Sequence, residues 1–123
     1  TLEEREGGKA FDVIKRQFVE GLKGIDGETL AHKMIIAYEP VWAIGTGKTA
    51  SDADAEEVCG FIRGLAKENF CEKTADELII LYGGSVKADN TKGIISQADI
   101  DGVLVGGASL KPDSFMQIVK NAL

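Results

Sequence analysis

At 123 residues and 13.1 kDa the chain is sized for one domain, and 44% hydrophobic with 28% charged residues is ordinary for a water-soluble fold. A net charge of −6 and a pI near 4.8 argue against nucleic acid or an acidic membrane surface as partner, and no apolar run approaches the roughly 20 residues that span a bilayer. Cys59 and Cys71 make no disulfide scaffold and no His/Cys cluster exists, so the composition predicts a reduced cytoplasmic protein with neither disulfide nor metal site.

Thr1-Leu2-Glu3-Glu4 is charged from the start, unlike a secretory leader, and no Met precedes it; the expectation is a chain that begins inside a longer polypeptide or after processing. Thr1-x-x-Glu4 also has the form of a capping box opening a short helix, which Gly7-Gly8 interrupts. A longer helix is predicted from about Lys9 to Leu22, where Phe11, Ile14, Phe18 and Leu22 form one apolar stripe. Gly24 and Gly27 end it in a loop. His32 and Lys33 then lead into an apolar strand, Met34 to Tyr38, that finishes at the carboxylate of Glu39.

After Glu39 come a stiff Pro40-Val41-Trp42, then Gly45-Thr46-Gly47 and Lys48. Proline restricts one end of this loop, and the glycines permit backbone shapes and close ligand approach that side chains would block. Trp42 and Ile44 are large and apolar, which an ordinary surface loop does not display. An acid beneath a hinged apolar cover suits proton abstraction in a dry site, whereas the generic alternative is a solvated loop after a strand-end Glu.

Ser51 caps the next helix, whose first turns carry Asp52, Asp54, Glu56 and Glu57, as the helix dipole favours. Helix-end electrostatics explains these acids better than a calcium loop does. Val58, Ile62, Leu65 and Ala66 give that helix an inner face, with Arg63 expected to pair with Asp99 or Asp101. A second strand, Leu78 to Tyr82, is almost unbroken apolar sequence, as expected when both faces are covered. Gly83-Gly84-Ser85 follows, then a helix around Asp89 to Ser96, a third strand from Gly102 to Val105, and the pair Gly106-Gly107. Pro112 opens a last helix expected to bury Phe115, Ile118, Val119 and Ala122.

The order helix, strand, helix, strand, helix, strand, helix predicts parallel strands with right-handed crossovers. The ends of such strands share one rim, which gathers Glu39 and the two glycine pairs there. Glycine pairs that lead into helix N-termini offer bare N–H groups to an anion without needing a local Arg or Lys. Three strands leave a bare edge on each side, and bare edges seek partners.

Tyr38 to Lys48, YEPVWAIGTGK, resembles the mobile-lid signature of the triosephosphate isomerase family. Two further stretches match in order: LYGGSV at residues 81–86 and DGVLVGGASL at residues 101–110. The resemblance implies the C-terminal half of a (β/α)8 TIM barrel, residues 1–123 being a partial barrel domain without an internal boundary. It implies an enzyme that interconverts dihydroxyacetone phosphate and glyceraldehyde 3-phosphate through an enediolate, without cofactor or metal. Glu39 would be the catalytic base, and the N–H groups of Gly45, Ser85, Gly106 and Gly107 would grip the triose phosphate. Pro40, Val41, Trp42, Ile44, Gly47, Lys48, Thr49 and Ala50 would form the lid and its hinges, with Ile44 and Leu104 clamping the Glu39 carboxylate. Tyr82 and Ser85 would hold the closed lid by its backbone near Gly47 and Ala50, while Tyr38 or a residue upstream of Thr1 holds the Trp42 indole.

The family's Lys and Asn from its first strand and its electrophilic His from the fourth have no counterparts here. His32 precedes its strand and sits on the opposite face, and Lys48 reads as solvated. A base without its electrophile has little to stabilise the enediolate, so the chain alone is expected to be close to inactive. Its expected partners are the missing N-terminal half and, in the whole family protein, a second copy in a homodimer. A non-catalytic half-barrel that self-associates or complements a separate half would carry the same motifs. Another phosphate-binding barrel, such as a sugar-phosphate epimerase, would share the glycine rim but lack the lid.

Overall fold

Three short parallel strands lie side by side at the centre of the computed structural model: β1 (Ile35–Tyr38), β2 (Ile79–Tyr82) and β3 (Gly102–Val103). The structure describes residues 1–43 and 49–123. Tyr38 pairs with Tyr82 and Tyr82 with Val103, so one row crosses all three strands. The ladder runs one step further: Gly83 N donates to Tyr38 O at 2.8 Å and Leu104 N to Tyr82 O at 2.9 Å.

Seven helices accompany this sheet among the described residues: α1 (Leu2–Glu6), α2 (Ala10–Gly21), α3 (Gly27–Lys33), α4 (Asp52–Asn69), α5 (Glu72–Glu77), α6 (Ala88–Ile95) and α7 (Pro112–Ala122). A single 3-10 turn, Gly107–Leu110, precedes α7. Thr1 and Ser51 close full capping boxes with Glu4 and Asp54, so both predicted helix starts stand. Two helices were not expected. Asp26 caps α3 by accepting from Thr29 N at 2.7 Å, and Cys71 caps α5 through its thiol. Each is short and carries few apolar residues, so no helical stripe announces it.

The core lies between one face of the sheet and the helices. Ile80 and Tyr82 pack there with Leu30, Val58, Cys59, Ile62, Leu65 and Ile94, and Phe11 meets Phe61 edge to face at 4.7 Å. The other sheet face is open, which corrects the expectation that β2 is covered on both sides: Ile35 is 58% exposed and Ile79 42%. In a closed barrel that face is filled by side chains from all strands, and three strands supply only part of the filling. The same shortage corrects the reading of α7. Ile118 is buried, but Phe115 and Val119 are exposed, because among the described residues nothing packs over that side of the helix.

Arg63 joins the strand ends remote from the glycine loops. Its guanidinium donates to Asp99 Oδ1 at 2.7 Å and Asp101 Oδ2 at 2.8 Å, and to the carbonyls of Ala75 and Leu78. Asp101 Oδ2 also accepts from Ile80 N, which ties β2 to the turn before β3. Arg63 therefore pairs with both expected acids rather than one. His32 lies at the same end of the sheet, 3.3 Å from Glu77 and away from Glu39. No helix of the described residues is long and apolar enough to cross a membrane.

Candidate active site

Glu39, Gly83 and Leu104 each stand one residue beyond their strand, and the ladder sets them in one row. Glycine in the middle position makes room for its neighbours. A Cβ at Gly83 would lie 2.8 Å from Glu39 Cγ, 3.4 Å from Glu39 Oε1 and 3.4 Å from Leu104 Cβ. The acid thus lies across the bare Cα of Gly83 with Leu104 on the far side. Glu39 is exposed and Leu104 is 44% exposed, both on the open side of the sheet.

Gly84 meets a different constraint. A methyl group there would overlap the Tyr82 hydroxyl, whose ring is folded beneath the loop. That hydroxyl is buried and has no hydrogen-bond partner among the described residues. Burial pushes the Tyr82 phenol above its usual pKa, neighbouring Tyr38 adds to the rise, and the Ala50 backbone amide acts against it. Ala50 is the backbone group beside that hydroxyl, and Gly47, the other expected lid contact, lies outside the described residues. Burial likewise raises Tyr38, and Arg5 and a hydrogen bond from the Trp42 side chain act against the rise.

A cleft of about 750 Å³ runs between these loops, lined by Glu39, Gly83, Ser85, Leu104, Gly106 and Gly107 among others. The amides of Ser85, Gly106 and Gly107 donate to no acceptor among the described residues. Beside Gly106 and Gly107 a methyl group would meet nothing within 4 Å. Unpartnered N–H groups on residues that line the cleft, before α6 and at the 3-10 turn, make a surface favourable to an anion. Lys87, Lys111 and Ser114 also border the cleft and were missed from sequence. Their position offered a signal, since both lysines directly precede the helices that follow the glycine pairs.

The cleft therefore gathers Glu39, Ser85, Leu104, Gly106 and Gly107. Pro40 is buried and begins a turn closed by Ala43 N donating to Pro40 O at 2.8 Å; Val41 is 55% exposed. At the other hinge Thr49 is exposed and Ala50 buried. Ile44, Gly45, Gly47 and Lys48 lie outside the described residues, as does Thr46. No group of His, Cys, Asp or Glu among the described residues is arranged to hold a metal ion.

The family model for triosephosphate isomerase matches residues 1–122. The triosephosphate isomerase of Citrifermentans bemidjiense is 58% identical over 120 residues, covering 98% of this chain and 47% of that protein. The one from Carboxydothermus hydrogenoformans is 55% identical over 123 residues, 100% of this chain and 49% of the relative. That of Syntrophotalea carbinolica is 53% identical over 120 residues, 98% and 47%. The chain spans about half the length of the curated relatives it matches. With the parallel strands, the glycine loops and the acid after β1 in place, the chain belongs to the triosephosphate isomerase family.

Proposed function

We propose that these residues supply the base, the lid and the phosphate-binding loops of a barrel that interconverts dihydroxyacetone phosphate and glyceraldehyde 3-phosphate. The observation that carries this reading is the row Glu39–Gly83–Leu104 beside three free backbone amides in one cleft. The Glu39 carboxylate takes a proton from C1 of the ketose, leaving an enediolate, and returns it at C2 to give the aldose. Ser85, Gly106 and Gly107, with Gly45 from the lid, hold the phosphate. Leu104 and Ile44 close over the carboxylate, and Pro40, Val41, Trp42, Gly47, Lys48, Thr49 and Ala50 carry the lid motion.

The oxyanion of the enediolate needs a donor that this row does not contain, and such stabilisation is usually the largest catalytic contribution. The remaining strands, with a Lys, an Asn and the electrophilic His, come from an N-terminal half, and the whole protein works as a homodimer in the cytoplasm. Alone, the chain is inactive.

A coupled isomerase assay tests this on the chain, on its Glu39→Gln variant, and on each mixed with an N-terminal half. The expected result is turnover only in the mixture with native Glu39. Turnover that survives Glu39→Gln within about twofold, where loss of an essential base should cost at least 10²-fold, overturns the assignment of the base. Turnover by the chain alone overturns the claim that it is inactive.

A further inference from the structure

The loop that carries Ser85 is held at two points by the side chain of Asn90. Asn90, in the first turn of α6, donates from Nδ2 to Ser85 O at 2.8 Å and accepts at Oδ1 from Lys87 N, also at 2.8 Å. Only one orientation of a carboxamide satisfies both, because Ser85 offers an acceptor and Lys87 a donor. The two bonds fix the peptide planes on either side of Val86, directly after Ser85, which lines the cleft. A second tie anchors the helix itself. Asn121 of α7 donates from Nδ2 to Ala88 O at 2.6 Å, so the helix behind Gly106-Gly107 and the helix behind Ser85 are joined. Thr91, fully buried, donates to Lys87 O at 2.5 Å and secures the same turn.

We infer that Asn90 is a positioning residue for anion binding. It holds the Ser85–Lys87 segment so that the Ser85 amide stays aimed into the cleft without having to be ordered when the ligand arrives. This rests on the phosphate-binding role proposed above for Ser85. Preorganised donors bind better because the ordering cost is met during folding and not at binding.

The discriminating variant is Asn90→Asp. It keeps the acceptor for Lys87 N, loses the donor to Ser85 O, and sets a carboxylate against that carbonyl. Aspartate in the first turn of a helix is favourable, so the fold should survive. Asn90→Ala removes both bonds and serves as the second variant. In the full-length protein carrying these residues, inorganic phosphate is titrated while the Ser85 and Gly106 amides are followed by nuclear magnetic resonance, with Tm measured alongside.

The expected result is a phosphate-dependent shift of both amides in the native protein. In Asn90→Asp, phosphate binds about tenfold more weakly and KM rises to match, at a Tm near the native one, the scale of one lost charge-assisted hydrogen bond. Phosphate affinity within about twofold of native in both variants overturns the inference, since the lost bonds should cost about tenfold. A native protein whose Ser85 amide does not respond to phosphate overturns the phosphate-binding reading instead, so the two failures are distinguishable.

Discussion

Gly83→Ala is the sharpest test of the row that crosses the three strands. The added methyl carbon would stand 2.8 Å from Glu39 Cγ. Carbon atoms settle at about 3.5–4.0 Å, so one of them must give way by roughly 1 Å. The backbone of residue 83 is held, because its N–H donates to Tyr38 O at 2.8 Å. On the other flank the new methyl would already touch Leu104 Cβ at 3.4 Å. Glu39 is exposed and free to swing outward, so the carboxylate moves and the fold does not. A displacement of about 1 Å at a reacting group costs on the order of 10²-fold in rate. The assay is steady-state isomerase kinetics on the full-length barrel with and without Gly83→Ala, together with thermal unfolding. The expected outcome is kcat lower by about 10²-fold with Tm within a few degrees of native. A kcat within about threefold of native at unchanged Tm would refute the claim that the bare Cα of Gly83 sets the position of the base.

Leu104→Ala in the full-length barrel should lower kcat about tenfold; an unchanged kcat removes Leu104 from the clamp. Cys59 is fully buried, and burial, aided by Glu56 and Asp99, raises its thiol from 9.0 to about 12. Because the folded-state pKa lies above the unfolded one, the stability is present below pH 9 and lost as pH rises toward 12, on the order of 4 kcal/mol. Cys59→Ala should flatten that alkaline fall relative to native in urea unfolding series, and parallel curves would contradict it. Cys71 is exposed, and hydrogen bonds from the Thr74 side chain and amide lower its thiol, so alkylation of the native protein should modify Cys71 alone and reach Cys59 only on unfolding. Equal labelling of both in mass spectrometry would mean that the core around Cys59 opens readily.

Sequence patterns reveal elements that make their own local case. Ser51 and Asp54 announce the start of α4, and Phe11, Ile14 and Phe18 draw the stripe of α2. They are silent where stability comes from elsewhere. The fold of α3 rests on Leu30 and Ala31 reaching a core built by distant residues, and its Asp26 cap was overlooked between two glycines. Phe115 and Val119 misled for the opposite reason, since an apolar stripe says that something covers it without saying what. In the site, the motif pointed to Glu39 and the glycines but not to their register. That Gly83 lies between Glu39 and Leu104 follows from strand pairing across residues 37–104, which no local pattern encodes. Asn90 was missed because a polar residue in a helix's first turn looks like ordinary capping until the loop carbonyl it holds is seen.

The open face and the exposed base have one cause. Side chains alternate across a strand, so Ile35 and Ala37 share a side with Glu39, and Ile79 and Leu81 with Gly83. Whatever covers Ile35 and Ile79 must extend along the same side toward Glu39. In the proposed barrel, burying those isoleucines would add hydrophobic stabilisation, and the same surface would narrow the access of water to the carboxylate. On that proposal, filling the core and drying the Glu39 carboxylate are two results of one association. A partner half that restored stability would carry the chemistry with it only if its side chains reached as far as the Glu39 row, beyond the Tyr38–Tyr82–Val103 layer. The phosphate-binding role proposed for Ser85, Gly106 and Gly107 does not call on that association. Asn90 ties the Ser85 loop, Asn121 ties α6 to α7 and Ser109 closes the turn after Gly106, all within these residues, so the proposed anion affinity should be the first property of the site to survive when the rest of the barrel is removed.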